Sequence, residues 1–230
     1  MIFMKVALTG LEKRKIKKQI SDFGFQIVEY KPDVVIAFGG DGTMLYAERM
    51  YPRIPKVFIR HSKTCVKCTD HNYSEILKKL KDGRFEIIEE MKVEGIVNND
   101  PKRRLIGLNE VNVSNQNPLR AARLELMIND SIIQKQVIGD GIVVSTTFGS
   151  SAYFYSITRK TFKNGLGIAF NNSTKKVKSL IVDKNSVIKI RILRDGAMMV
   201  ADNNPKMIKL KENDVVTIKK HKYQARIIRF

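Results

Sequence analysis

The apolar run Val34-Val35-Ile36-Ala37-Phe38 leads directly into Gly39-Gly40-Asp41-Gly42-Thr43. A short run of β-branched and aromatic residues bounded by glycines reads as a buried strand. Three glycines at its end let the backbone turn sharply and approach a bulky anion, because no Cβ blocks the way. Thr43 is placed to cap a helix beginning near Met44, whose first N–H groups and dipole favour phosphate. Asp41 adds one carboxylate inside the turn. Phosphate-binding backbone beside a carboxylate suits phosphoryl transfer with a metal ion and a general base. A tight strand-to-helix turn without a ligand is the plainer reading of the same residues.

The flanking segments alternate in kind. Ile2–Leu8 reads as a first strand. A basic amphipathic helix follows, with Leu11, Ile16, Ile20 and Phe23 on one face and Gly24 as its stop. Residues 25–30 read as a second strand, Met44–Met50 as a helix ending before Pro52, and Lys56–Arg60 as another strand. Tyr73, Ile76, Leu77 and Leu80 space as a helix closed by Asp82-Gly83. Such alternation implies a mostly parallel sheet with right-handed crossovers, whose ligand edge lies at the strand carboxyl ends. From Phe85 onward short apolar runs recur between turn clusters such as Asn98-Asn99-Asp100-Pro101, Asn129-Asp130 and Asp202-Asn203-Asn204-Pro205. The expected organisation is an α/β domain over residues 1–95 and a β-rich domain over 96–230.

A chain of 230 residues can bury a sizeable core. It contains no apolar run of about twenty residues, so no membrane span is expected. Met1–Leu8 is too short for a signal peptide, and a cytoplasmic protein is the expectation. The net charge of +19 draws anions: nucleotides, polyphosphate, nucleic acid or acidic membrane. A lysine-rich surface suited to a heat-adapted host is the other reading. The basic residues are dispersed, as at Lys13-Arg14-Lys15, Lys17-Lys18, Arg103-Arg104 and Lys175-Lys176, with no arginine-rich arm. Dedicated nucleic-acid binding is therefore not expected.

Cys65 and Cys68 are the only cysteines, and His61 and His71 flank them. His61-x3-Cys65-x2-Cys68-x2-His71 supplies four zinc-type ligands at a compact spacing that matches no common finger. Reduced buried thiols or a labile disulfide are the alternatives.

Two further clusters carry polar groups in apolar surroundings. Asn109-Glu110 lies inside the strand-like run Leu105–Val113. A carboxylate on a central strand needs a partner, whereas a solvent-facing Glu110 on an alternating strand needs none. An Asn-Glu pair at a strand end suits ribose hydroxyls or a ring amine. Gly139-Asp140-Gly141 then precedes the strand-like Ile142-Val143-Val144. The loop Ser145-Thr146-Thr147-Phe148-Gly149-Ser150-Ser151-Ala152-Tyr153 follows. Small hydroxyl residues there fit either a hairpin with a polar loop or a nucleotide site.

Taken in order, Gly39–Thr43, Asn109-Glu110, and Gly139-Asp140-Gly141 with the Gly149–Tyr153 loop resemble the NAD kinase family. The glycine motif alone is shared with diacylglycerol and sphingosine kinases; the other two are more specific. The resemblance implies a fold like that of NAD and diacylglycerol kinases, with an α/β N-terminal domain, a β-rich C-terminal domain and NAD bound between them. It implies phosphorylation of the adenosine-ribose 2′-hydroxyl of NAD to give NADP, with ATP or polyphosphate as donor and Mg²⁺ or another divalent cation. A homodimer or homotetramer is implied as well. By correspondence Asp41 would be the catalytic carboxylate, with Gly39, Gly40 and Thr43 close to phosphate. Gly42, Asn109, Glu110, Asp140, Ser151, Ala152 and Tyr153 would contact NAD.

The chain departs from the family pattern in places. Family members usually carry Gly-x-Asn-x-Gly-x-x-Gly-Phe-Leu after the first motif, where this chain has residues 58–68 with the His/Cys cluster. Phe148 replaces a small polar residue, and the usual Asp-Gly turn in the tail reads Asp202-Asn203. A kinase of the same fold acting on another hydroxyl acceptor, and a non-catalytic NAD(P)-binding sensor, are the alternatives these departures raise.

Overall fold

Alternating strands and helices open the chain: β1 (Lys5–Thr9), α1 (Arg14–Asp22), β2 (Gln26–Ile27), β3 (Val34–Gly39), α2 (Asp41–Met50), β4 (Lys56–Arg60), α3 (Tyr73–Lys81) and β5 (Glu86–Glu90). Strands then dominate: β6 (Val93–Val97), β7 (Arg104–Gly107), β8 (Glu110–Asn115), β9 (Ala122–Ile128), β10 (Ser131–Gly139) and β11 (Gly141–Ser145). The short helix α4 (Tyr153–Thr158) interrupts them. After it come β12 (Leu166–Asn171), β13 (Leu180–Val182), β14 (Ile188–Arg194), β15 (Ala197–Ala201), β16 (Ile208–Leu210), β17 (Val215–Lys220) and β18 (Ala225–Arg229). These elements come from a computed structural model, which describes residues 4–61 and 72–230.

The chain divides into two units, Met1–Glu90 with Gln224–Phe230, and Met91–Tyr223. A boundary expected between residues 95 and 96 thus meets a division at 90 and 91, and the last strand returns to the first unit. The cause is strand pairing. β18 runs antiparallel to β5, with Ile227 opposite Ile88 and Ile228 opposite Ile87, and parallel to β4.

In the first unit the strand order is β2-β1-β3-β4-β18-β5, and β2, β1, β3, β4 and β18 are parallel. Val34–Phe38 is buried throughout, as a central parallel strand covered on both faces must be. Ile16 and Ile20 of α1 and Ile76, Leu77 and Leu80 of α3 close one core with Val6, Ile36, Val57 and Ile59. Leu11 was expected on the face of α1, but α1 starts only at Arg14, and Leu11 is fully exposed in the preceding turn. Gly24 ends that helix as expected, at φ +84°.

One polar contact ties α2 to β4 inside this unit. Lys56 Nζ lies 2.6 Å from Glu48 Oε2, with the two side chains 0 % and 6 % exposed. The same ammonium donates to the Ile54 carbonyl at 2.6 Å. Two opposite charges taken out of water hold their geometry only while both are present.

The second unit is a sandwich of two antiparallel sheets, β10-β9-β14-β17-β6-β7 and β13-β12-β11-β8-β15-β16. One face of each contributes to a single core, for example Leu124, Leu126, Ile188, Ile190, Val216 and Ile218 from the first, and Val111, Val113, Ile142, Val144, Ile168 and Met199 from the second. The alternate positions of these strands face away, the period-two pattern of a sheet buried on one side.

The turn expected at Asn98–Pro101 forms, with Asn98 and Asn99 both at positive φ. Asn98 Nδ2 donates to Asp214 Oδ1 at 2.6 Å, and Asn98 Oδ1 accepts from the Val215 N–H. Arg103 Nη2 and the Lys211 N–H both donate to Asp214 Oδ2, at 2.8 and 3.0 Å. Burial pushes the Asp214 carboxyl up. The bonds from Arg103, Lys211 and Asn98 outweigh it and leave the group below its ordinary value.

A depressed native carboxylate contributes stability above its unfolded pKa and loses it as pH falls through the native one. Acid titration of the folded protein should therefore show a loss beginning below about pH 4. Asp214→Asn should cost about 1–3 kcal/mol at neutral pH in chemical denaturation and flatten that acid limb. Lys56→Met should cost about 3–5 kcal/mol by the same measurement, while Lys56→Met combined with Glu48→Leu should recover most of it.

Candidate functional site

The glycine turn of the first unit differs in detail from the sequence expectation. α2 begins at Asp41, not near Met44, and Gly40 takes the capping position in extended backbone at φ −120° and ψ −167°. No side chain caps this helix. The Thr43 and Met44 N–H groups donate to the Gly40 carbonyl at 3.0 and 3.3 Å, so the turn closes three residues early. Thr43 instead folds back over the strand end: a Cβ on Gly39 would lie 2.9 Å from Thr43 Cβ. Gly39 is needed for that approach. Asp41 is half-buried in the first turn of α2, and Gly42 beside it is exposed.

β1 leads to β2 on one side and β3 leads to β4 on the other, so the crossovers diverge between β1 and β3. In an open α/β sheet, ligands bind at this point, off the strand carboxyl ends. A groove of about 960 Å³ opens there, lined by Thr9, Lys13, Arg14, Lys17 and Thr43, by the acid Glu29, and by a larger share of apolar and aromatic side chains. Thr9 is 5 % exposed, and its Oγ1 has no hydrogen-bond partner among the described residues. A buried hydroxyl beside three cations and a helix N-terminus is suited to the anionic end of a ligand, and the apolar wall to an uncharged part of it.

His61 follows β4 beside the same turn. Its N–H donates to the Gly39 carbonyl at 2.9 Å, and its ring stacks on Phe38 at 4.4 Å. Nδ1 lies 3.3 Å from the Tyr73 hydroxyl and Nε2 lies 3.6 Å from Glu12 Oε2. The other three residues of the expected zinc set, Cys65, Cys68 and His71, lie outside the described residues. Among the described residues no group of three or more His, Cys, Asp or Glu side chains is arranged to hold a metal ion.

In the second unit, Leu108 and Asn109 break the run that reads as one strand. β7 ends at Gly107 in one sheet, and β8 starts at Glu110 in the other. Asp202, just after β15, binds the crossing from one side. Its carboxylate accepts from the N–H groups of Leu108 at 2.7 Å, Asn109 at 2.8 Å and Glu110 at 3.1 Å. The carbonyls are held by the loop after β11. Thr146 Oγ1 donates to Leu108 O at 2.6 Å, and the Thr146 N–H and Ser145 Oγ donate to Asn109 O at 2.8 and 3.2 Å. Gly149 packs on the Asn109 backbone so closely that a Cβ would come within 2.6 Å of its Cα.

These bonds leave the side chains of the crossing to do something else. Asn109, Glu110 and Asn112 are 7, 9 and 8 % exposed, so Glu110 is not the solvent-facing residue of an alternating strand. Asn109 Oδ1 and Asn112 Oδ1 find no hydrogen-bond donor among the described residues. Glu110 and Asn112 share the face of β8 opposite Val111 and Val113, which belong to the core.

Asp140 lies at the other end of the strand pair. Gly141 pairs with Ser114, whereas Ser145 pairs with Glu110, so about 13 Å of strand separates the two ends. Asp140 accepts from Asn172 Nδ2 at 2.6 Å, and Tyr153 Oη accepts from Asn171 Nδ2 at 2.9 Å. Burial, then the carboxylates of Asp140 and Glu110, push the Tyr153 phenol above its ordinary value, so it stays protonated at neutral pH. Ser151 is exposed, and Ala152 takes the capping position before α4 at φ −98° and ψ −121°.

Sequence reasoning does not single out Thr9 in the first unit, or Asn112 and Asp202 in the second, as functional positions. Asn112 was accessible in principle, from the alternation Glu110, Asn112, Ser114 against Val111 and Val113. Asp202 reads locally as a turn residue, and its partners lie more than ninety positions away.

Residues 108–230 match the family model described as the ATP-NAD kinase C-terminal domain. The NAD kinase of Sulfurisphaera tokodaii is 29% identical, over 100% of this chain and 94% of that protein. An NAD kinase from Archaeoglobus fulgidus, solved in complex with ATP, superposes with a TM-score of 0.82 at 19% identity, covering 98% of this chain and 94% of that one. Yeast NADH kinase complexed with NADH has a TM-score of 0.82 at 13% identity, covering 99% and 84%.

Gly149→Ala tests the contact between the loop and the crossing. The added methyl forces Asn109 to shift, and a loss of about 1–3 kcal/mol in denaturant unfolding is expected. An unchanged midpoint would show that the loop moves aside freely.

Proposed function

The chain belongs to the NAD kinase family, and on that premise we propose that it phosphorylates the adenosine-ribose 2′-hydroxyl of NAD, forming NADP. The observation that carries this reading is the pair of buried, donor-seeking oxygens, Asn109 Oδ1 and Asn112 Oδ1, on a segment held rigid by its neighbours. Buried acceptors are nearly always paired, and ribose hydroxyls and a ring amine are donors of the right kind. In this proposal Asn109 and Glu110 bind the acceptor, Tyr153, Ser151 and Ala152 line its pocket, and Asp140 serves its nicotinamide end.

The phosphate chemistry belongs to the first unit. The 2′-oxygen bonds to the terminal phosphorus of the donor as the bond to the leaving phosphate oxygen breaks, and Asp41 takes the hydroxyl proton. Gly39, Gly40 and Thr43 let the phosphate chain approach the start of α2, where N–H groups and the helix dipole stabilise its charge, and Gly42 lets NAD approach closely. Lys13, Arg14 and Lys17, with the Thr9 hydroxyl, complete a donor groove. Phosphates are common to ATP and polyphosphate, so both remain donors in this proposal. A single half-buried carboxylate fits a Mg²⁺ ion, which takes one or two carboxylates and fills its remaining positions with substrate phosphates and water. Holding the ion is the alternative role of Asp41 to taking the proton; the ion when bound would neutralise phosphate charge. A cytoplasmic homodimer or homotetramer completes the proposal. Phe148, bulky where the family has a small polar residue, favours a second reading in which the acceptor is a relative of NAD.

A coupled NADP-formation assay with NAD, Mg²⁺ and either ATP or polyphosphate, at ambient and elevated temperature, tests the reading. NADP should form, and Asp41→Asn should lower turnover by about 10²–10⁴-fold while NAD binding is retained. Normal turnover in Asp41→Asn would remove Asp41 from the chemistry. NAD binding without turnover in the folded wild type would favour a sensor, and absence of both would favour another acceptor.

A further inference from the structure

We propose that Asp202 is a positioning residue for the acceptor, acting through the backbone of Leu108, Asn109 and Glu110. The inference rests on the NAD kinase reading for the identity of the acceptor, and on geometry for the rest. Three consecutive N–H groups turned to one side form a nest, a concavity that takes an anion. Here the chain supplies the anion itself. Asp202 Oδ1 accepts from Asn109 and Glu110, and Oδ2 accepts from Leu108.

Two features commit Asp202 to this role. Its own N–H donates to the Glu110 carbonyl at 3.2 Å, and its backbone is left-handed at φ +48°, directly after Ala201 pairs with Val111. The carboxylate is thereby delivered from the neighbouring strand. Gly107 makes room chiefly for the Glu110 carbonyl, which a Cβ there would meet at 2.2 Å, and then for the carboxylate, with Asp202 Oδ1 at 3.0 Å. With Thr146 and Ser145 holding the carbonyls opposite, the backbone of Asn109 is fixed from both sides. A substrate phosphate finds no vacant nest there, and recognition falls to the side chains of Asn109 and Glu110, whose directions Asp202 sets.

The test combines amide exchange with kinetics. In the wild type without NAD, the amides of Leu108, Asn109 and Glu110 should be strongly protected. Asp202→Asn keeps the shape but replaces one acceptor oxygen with an NH₂ donor that opposes an N–H. These amides should then exchange at least about tenfold faster, and the KM for NAD should rise about tenfold or more, with kcat changed much less, well below the melting temperature. Asp202→Glu, which keeps the charge on a longer arm, should fall between the two. Free exchange of the three amides in the wild type overturns the proposal even if no variant folds. So does an unchanged KM in folded Asp202→Asn, where a lower melting temperature alone would mark a purely structural role. Absence of NADP formation by the wild type would sink the kinase reading instead, leaving the amide exchange to judge Asp202.

Discussion

Between Gly107 and Glu110 the chain leaves one sheet and enters the other, and the backbone groups freed at that crossing must be paired inside the protein. Leu108, Asn109 and Glu110 are all nearly buried, so water cannot do it. A carboxylate from the end of β15 takes the donors, and hydroxyls and an N–H from the end of β11 take the acceptors. Three stretches distant in sequence thus meet at one point. An amide leaves the ladder there with its side chain uncommitted, and this makes the crossing a place for recognition rather than only a bend. The same closeness explains Gly149, whose missing side chain lets the serine loop rest on the Asn109 backbone.

The first unit solves a different problem with similar means. A buried parallel strand must end where its N–H and C=O groups can be used, and β3 ends in a turn that starts α2 at once. Gly39 accommodates the Thr43 side chain, and Gly10, at φ +123°, passes against the Phe38 carbonyl. Two glycine-mediated approaches thus lie at the divergence of the crossovers, and Lys56 with Glu48 ties α2 to β4 behind them. Basic residues of α1 and the turn before it line the groove in front. The charge of +19 acquires a local meaning there, as cations near a helix N-terminus.

How much of this is legible in the sequence varies by element. The alternation of Val34–Phe38, α2 and Lys56–Arg60 is plain because a strand buried on both faces is continuously apolar and glycine marks its end. Ile16, Ile20 and Gly24 mark α1, but spacing alone draws Leu11 into its face, since periodicity cannot tell a helix from the turn before it. Thr43 looked like a cap because threonine favours that position; Gly40 took it because the turn closes earlier. Asn109-Glu110 stood out as polar residues in an apolar run. That the run is really two strands in two sheets was hidden, because each half has ordinary strand composition.

By itself the sequence determined the fold class, the glycine turn with its carboxylate, and the three motif clusters that mark the family. These depend on local chemistry: side-chain shape, backbone freedom and hydrophobic period act over a few residues. Only the tertiary structure decided that β18 returns to the first sheet, that Asp140 and Glu110 lie at opposite ends of a strand pair, and that Asp202 binds Leu108–Glu110. Those outcomes rest on hydrogen bonds between residues far apart in the chain. A backbone N–H carries no mark in the sequence of which distant carboxylate will take it.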